Sequence, residues 1–201
     1  LINLVGLDRF GLLALAWGLI GAAGALDLGV GRATTLLIAR FRGNADLASA
    51  AAAVRVSSRL SLRIGAVTGA AFALAALAGA ARYIKHPSGM QMEVDMAAYL
   101  VALTIPIQAL TATFRGVNEG LEQFREISLL RIGLGTANFL GPYLLALVSV
   151  HLAGLVAALL VSRLIALYFY RRAALRHLPR TQREANAAAQ PTNDPATDAQ
   201  L

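Results

Sequence analysis

Five apolar stretches, each near the length of a lipid bilayer, run through a chain of only 201 residues and limit its folds more than any other feature. They extend from Phe10 to Gly31, Leu62 to Ala81, Met96 to Phe114, Leu129 to Val150 and Leu152 to Tyr170. A hydrocarbon core about 30 Å thick takes about 20 predominantly apolar helical residues to cross. Within it only helices and closed barrels satisfy their own backbone, and these runs lack the period-two alternation of barrel strands. The expected fold is all-α, a polytopic transmembrane helical bundle. Composition agrees: 57% of the residues are hydrophobic and 14% charged, where soluble domains have about half and about a quarter.

The net charge of +7 would suggest nucleic acid in a soluble chain. Most of the arginines instead flank the apolar runs, so nucleic acid is discounted as a partner and membrane lipid is expected. Cytoplasmic flanks are enriched in Lys and Arg. Arg32, Arg40, Arg42, Arg55, Arg59 and Arg63 lie between the first and second runs, but only Arg82 and Lys85 between the second and third. Arg115, Arg125 and Arg131 follow the third run, no strong base follows the fourth, and Arg171, Arg172, Arg176, Arg180 and Arg183 follow the fifth. The alternation predicts that the first run passes from outside to inside and that the C-terminal tail is cytoplasmic. Residues 1–9 read as the end of a preceding helix and an outside turn, residues 10–179 as a lobe with five full spans, and residues 180–201 as a disordered tail. That tail is rich in Ala, Gln, Asn, Asp, Thr and Pro and has no aromatic residue, too little apolar surface to order itself.

Local signals refine the elements. Asn44 or Asp46 can cap a helix that begins in the Ala-rich stretch Ala48 to Ala53 and carries Arg55, Arg59 and Arg63 on one face. Two readings fit that stripe: a solvated face beside lipid headgroups, or a basic vestibule for an anionic substrate. Gly65 and Gly69 form a small-xxx-small pair of the kind that lets helices approach closely in lipid. Pro106 and Pro142 fall inside the third and fourth runs, where each removes a backbone hydrogen bond. The segment from Arg115 to Glu126 mixes both charge signs and reads as a solvated helix at the interface, with Gly116 and Gly120 as possible breaks.

An ionisable group at membrane depth is a functional candidate by default. Asp27 lies far along the first run, with Gly29 and Gly31 just after it. It is either a proton or cation site, or a structural carboxylate bonded to Arg32 or to freed backbone N–H groups. Arg163 lies in the fifth run beside Ser162, and either faces a cavity where it holds a phosphate or extends toward the cytoplasmic interface. Asp27, Arg32 and Arg163 are the candidate substrate or ion-pathway residues. Asn138 and Gln108 read as contacts to neighbouring helices. The absence of Cys excludes disulfides, thiolate catalysis and sulfur-ligated metals. His86, His151 and His177 share no metal-ligand spacing, and no Ser/His/Asp set or phosphate-cradling glycine loop is present. No enzyme activity, cofactor or metal is expected.

Three segments in order, Leu7-Asp-Arg-Phe-Gly11, Leu26-Asp-Leu-Gly-Val-Gly-Arg-Ala33 and Arg115-Gly-Val-Asn-Glu-Gly-Leu-Glu-Gln-Phe124, resemble the polysaccharide transporters of the multidrug/oligosaccharidyl-lipid/polysaccharide exporter superfamily. These are the flippases of lipid-linked oligosaccharides such as O-antigen units in the bacterial inner membrane. The resemblance covers Leu4 to Pro179. It implies an alternating-access, ion-coupled transporter of two six-helix lobes, of which this chain supplies about one, so that a second lobe or a homodimer partner completes it. A lipid-linked glycan is the implied substrate. A multidrug or cation antiporter of the same superfamily is the rival, along with a non-transporting scaffold or truncated inactive product; the scarcity of acids and abundance of Arg favour an anionic, pyrophosphate-linked substrate.

Overall fold

A computed structural model describes residues 6–23, 29–44, 46–79, 90–147 and 151–188, without the side chains at 23, 47 and 179–188. Asp27, Lys85 and His86, and the tail from 189, lie outside the described residues. Six helices make up the fold: α1 (Leu7–Ala23), α2 (Val30–Gly43), α3 (Leu47–Leu77), α4 (Gln91–Gly120), α5 (Phe124–Ala146) and α6 (Leu152–Ala188). No strand occurs among the described residues, and the all-α bundle expected from the sequence is the observed fold.

Helix α4 is the axis of the bundle, with contacts to every other helix. Its inward positions include Val94, Val101, Ile105, Ala109, Phe114 and Val117, all buried. Two apolar clusters form along it. At one end Leu13 and Ile20 of α1 and Leu152, Leu155 and Leu159 of α6 close over Val94 and Val101. Toward the other end Ile38 of α2, Val54 of α3, Ile127 of α5 and Tyr170 of α6 surround Phe114 and Val117.

Outer faces carry the apolar surface a water-soluble bundle would hide. Val67 is 71% exposed, Leu74 64%, Ile132 68% and Phe139 64%. Contiguous apolar exposure of this kind marks contact with a partner or a membrane. Among the described residues, three helices are long and apolar enough to cross a membrane: Ala48–Leu77 in α3, Gln91–Gly120 in α4 and Leu152–Leu178 in α6.

Because lipid solvates apolar side chains as well as a protein interior does, such helices associate through close packing of small residues. Gly65 and Gly69 supply this between α3 and α4. A methyl group at Gly65 would lie 2.7 Å from the Cα of Pro106, and one at Gly69 would lie 2.8 Å from the carbonyl oxygen of Ala102. Pro106 is thus seated on the paired glycines, and a hydrogen bond between the hydroxyls of Ser61 and Thr113 continues the same contact. The N-terminus of α3 is capped by Asp46, whose carboxylate accepts from the Ser49 N–H at 3.0 Å. Hydrogen bonding from Ser49 holds the Asp46 carboxyl below the usual carboxylate range. Arg55, Arg59 and Arg63 recur along the exposed surface of α3.

Three expectations change. The run from Phe10 to Gly31, expected as one span, is divided between α1, which ends at Ala23, and α2, which starts at Val30. Gly29 at the start of α2 has φ 77°, a left-handed conformation that a right-handed helix cannot continue through. The segment from Arg115 to Gly120, expected as a solvated loop helix with breaks at its glycines, is the last part of α4, with Gly116, Val117, Asn118 and Gly120 buried. Packing against α2 removes it from solvent. Where the ordered lobe was expected to end at Pro179, α6 continues to Ala188. Gln, Arg, Glu and Ala dominate that added stretch and are strong helix formers.

Candidate functional site

The cleft that combines charge with access lies where α2, α4 and α5 converge. Helix α2 has little side-chain bulk at its contact with α4, where Gly31, Thr35 and Ile38 meet Gly116 and Gly120. A methyl group on Gly116 would collide with the Gly31 carbonyl oxygen; one on Gly120 would lie 2.8 Å from both the Thr35 carbonyl oxygen and the Ile38 Cβ. The two backbones touch because neither glycine has a side chain. Thr34 and Thr35 return their hydroxyl protons to the carbonyls of Val30 and Gly31, at 2.7 and 3.2 Å.

At this crossing the Glu119 carboxylate projects between the helices. The Thr35 hydroxyl, whose one proton is shared with the Gly31 carbonyl, lies 3.5 Å from its Oε2. Its Oε1 lies 3.6 Å from Arg115 Nε and 3.8 Å from Arg131 Nη2. Thr35, Glu119, Phe124, Ile127, Ser128 and Arg131 line an open cleft of about 350 Å³. Two guanidinium groups approach the one carboxylate, Arg131 from the cleft lining and Arg115 from one turn back along α4, a local excess of positive charge.

The turn from α4 into α5 fixes the cleft's floor. Glu122 has φ 59°, a left-handed conformation that a non-glycine residue holds only when its surroundings impose it. Its carboxylate is tied to Arg42 Nη1 of α2 at 2.7 Å, and the Gln123 N–H donates to the Asn118 carbonyl oxygen. Asn118 itself, fully buried, donates to the carbonyl oxygens of Phe114 and Tyr170 at 2.7 and 2.9 Å, pinning the end of α4 to α6. Glu126 and His177 approach to 3.1 Å between α5 and α6.

A second polar cluster sits at the opposite end of α4. Glu93 accepts from Arg9 Nη2 at 3.1 Å and from the Leu152 backbone N–H at 2.9 Å, and lies 3.6 Å from His151 Nδ1. It satisfies one of the orphan N–H groups at the start of α6 while binding α1, so one carboxylate joins three helices.

Of the residues singled out from the sequence, Asp27 lies outside the described residues. Arg32 is exposed on α2. Arg163 is half-buried in α6, and its Nε is shielded from solvent with no hydrogen-bond partner. The adjacent Ser162 donates to Asn138 Oδ1 of α5 at 3.2 Å, so Asn138 bonds a neighbouring helix as expected. The sequence showed Arg115 and Glu119 only within a segment of mixed charge and gave no sign of the cleft, because Thr35 and Arg131 join it only through helix packing. Sequence reasoning also passed over Glu93, which had no sequence signal beyond an acid near the start of an apolar run. The chain matches no protein-family model, no curated protein and no solved structure.

Proposed function

We propose that this chain is one lobe of an alternating-access transporter that carries a lipid-linked oligosaccharide or polysaccharide precursor across the cell's inner membrane. The lobe works against a second one, supplied by the same polypeptide or by another copy. Its arginine-rich end, with the C-terminal tail, faces the cytoplasm under the positive-inside rule.

The observation that carries this reading is the contact between two segments on which the resemblance rests. Gly31 of the Leu26–Ala33 segment and Gly116 of the Arg115–Phe124 segment meet backbone to backbone, and Thr35 and Glu119, 84 residues apart in the chain, meet beside them. Beside the glycines, a carboxylate and two solvent-exposed arginines stand at the crossing, and their contacts are looser than those of Glu93 at the other end of α4. The crossing combines this close backbone approach with Ile38 packed among Phe114 and Val117, and alternating access requires packed helices of this kind to move relative to one another. The positive balance of the cleft favours a phosphate-bearing substrate over a cationic drug. Asp27, Arg32 and Arg163 are assigned to the pathway: the first two bracket the left-handed Gly29, and Arg163 carries a charge into the span of α6, where insertion at the bilayer centre costs at least about 2.5 kcal/mol unless the group is paired or hydrated.

The test is glycan export in cells that depend on this transporter. Asp27→Asn and Arg163→Gln should each reduce export while immunoblots give normal protein levels, with the lipid-linked precursor trapped in the cytoplasmic leaflet. Unchanged export in cells lacking the protein altogether would sink the transport reading. Normal export by both variants would remove the two residues from the pathway.

A further inference from the structure

We infer that Glu119 is the built-in occupant of an anion site: Arg115, Arg131 and Thr35 form a receptor for a phosphate group, and the Glu119 carboxylate fills it until phosphate displaces it. The inference rests on the transport reading only for the source of the phosphate; the site itself follows from geometry.

Charge-assisted hydrogen bonds between guanidinium and carboxylate close to about 2.7–2.9 Å. Glu119 reaches neither arginine at that distance: its contacts are 3.6 and 3.8 Å, and Thr35 is 3.5 Å away. A single carboxylate is spread over three donors that it satisfies incompletely. Elsewhere in the same region the chain does make a tight pair, Arg42 with Glu122 at 2.7 Å, so the looseness belongs to this cleft. Its volume, about 350 Å³, exceeds what one carboxylate fills. Both guanidinium groups are open to solvent, with side chains 47% exposed for Arg115 and 67% for Arg131, so an incoming anion reaches them without unfolding anything.

A phosphate group brings up to two negative charges and three strong acceptor oxygens, and planar guanidinium groups engage such oxygens in pairs. It takes the place of the carboxylate between Arg115 and Arg131, with Ser128 on the cleft wall as a further donor and Thr35 as another once its single hydroxyl proton turns from the Gly31 carbonyl. Displacement sends Glu119 toward the cleft mouth and breaks its contact with Thr35. That contact is one of two polar links between α2 and the end of α4, the other being Arg42 with Glu122, so occupancy of the cleft removes one of them. Substrate arrival and helix movement are thereby coupled through one side chain.

The site is tested by binding, independently of transport. The full chain is placed in phosphatidylcholine nanodiscs and titrated calorimetrically with inorganic pyrophosphate. Glu119→Gln, which keeps the shape and removes the competing charge, should bind about tenfold tighter than wild type, and Arg131→Gln at least about tenfold weaker. A second arm uses nanodiscs containing phosphatidic acid. If a lipid headgroup is the natural occupant, that lipid should compete pyrophosphate away from wild type and Glu119→Gln, and fail to do so in phosphatidylcholine-matched Arg131→Gln samples. Either arm responding to both substitutions supports the site and identifies its phosphate source. Binding indifferent to Glu119→Gln in both arms overturns the inference. If that variant fails to fold, the exposed Arg131 decides, and unchanged pyrophosphate binding by Arg131→Gln overturns it alone. Unchanged glycan export in cells lacking the protein, with this binding pattern intact, would count against transport and leave the site standing.

Discussion

At the scale of single residues, glycine has two distinct roles in this chain. Gly116 and Gly120 are positions where a Cβ has no room, because the backbone of α2 occupies the space. Gly133 and Gly135 in α5 face nothing within 4 Å. The composition of the two pairs is identical, and only the neighbouring helix separates them. Gly116→Ala should destabilise the bundle by about 1–3 kcal/mol, the range for overpacking a close contact, with relaxation of α2 setting the value. Gly135→Ala should be neutral or stabilising by up to about 1 kcal/mol, because alanine is the better helix former. Thermal unfolding of both variants in one detergent measures the difference. Equal melting temperatures would mean that the Gly31–Gly116 contact does not bear on stability.

At the scale of elements, α4 works because each end is fixed by a different kind of interaction. The end near Gly120 is held by backbone proximity and by Asn118 bonding to Tyr170. The end near Gln91 is held by Glu93, which serves α1 through Arg9 and α6 through the Leu152 N–H. Hydrogen bonds to charged groups contribute about 1.5–3 kcal/mol. Glu93→Ala should cost about that much, and the loss should concentrate where α1 and α6 begin. Hydrogen exchange resolved by mass spectrometry tests it: peptides covering residues 152–160 should exchange faster in the variant while peptides covering 110–120 stay unchanged. Uniform acceleration across the chain would show instead that Glu93 supports the whole fold and not one end.

For the molecule as a whole, the helix directions place the starts of α1, α4 and α6 at one end and the Arg115, Arg131 and Arg42 clusters at the other. The proposed orientation sends the second end to the cytoplasm. The chain has no cysteine, so single-cysteine variants report location without background. Met92→Cys should react with an impermeant thiol reagent added to intact cells; Arg125→Cys and Arg176→Cys should react only after permeabilisation. Reaction at 125 and not at 92 would invert the molecule in the membrane.

The apolar runs alone determined the all-α class, because a bilayer-length stretch without period-two alternation has one way to satisfy its backbone. Local chemistry in the sequence also narrowed the cap to Asn44 or Asp46, of which the structure uses Asp46, and put Arg55, Arg59 and Arg63 on one face, since both depend on neighbours within one or two turns. The division of the first run into α1 and α2 was not decided by the presence of Gly29, because a glycine permits a left-handed turn without requiring one. Whether Gly116 and Gly120 would end a helix or receive another one was not legible at all, since the answer is the backbone of α2. The same holds for the cleft. Arg115 and Glu119 announce themselves one turn apart, but Thr35 and Arg131 come from two other helices, and no local propensity encodes their meeting. Tertiary packing decided which charges share one space, because that depends on the register of three helices against each other.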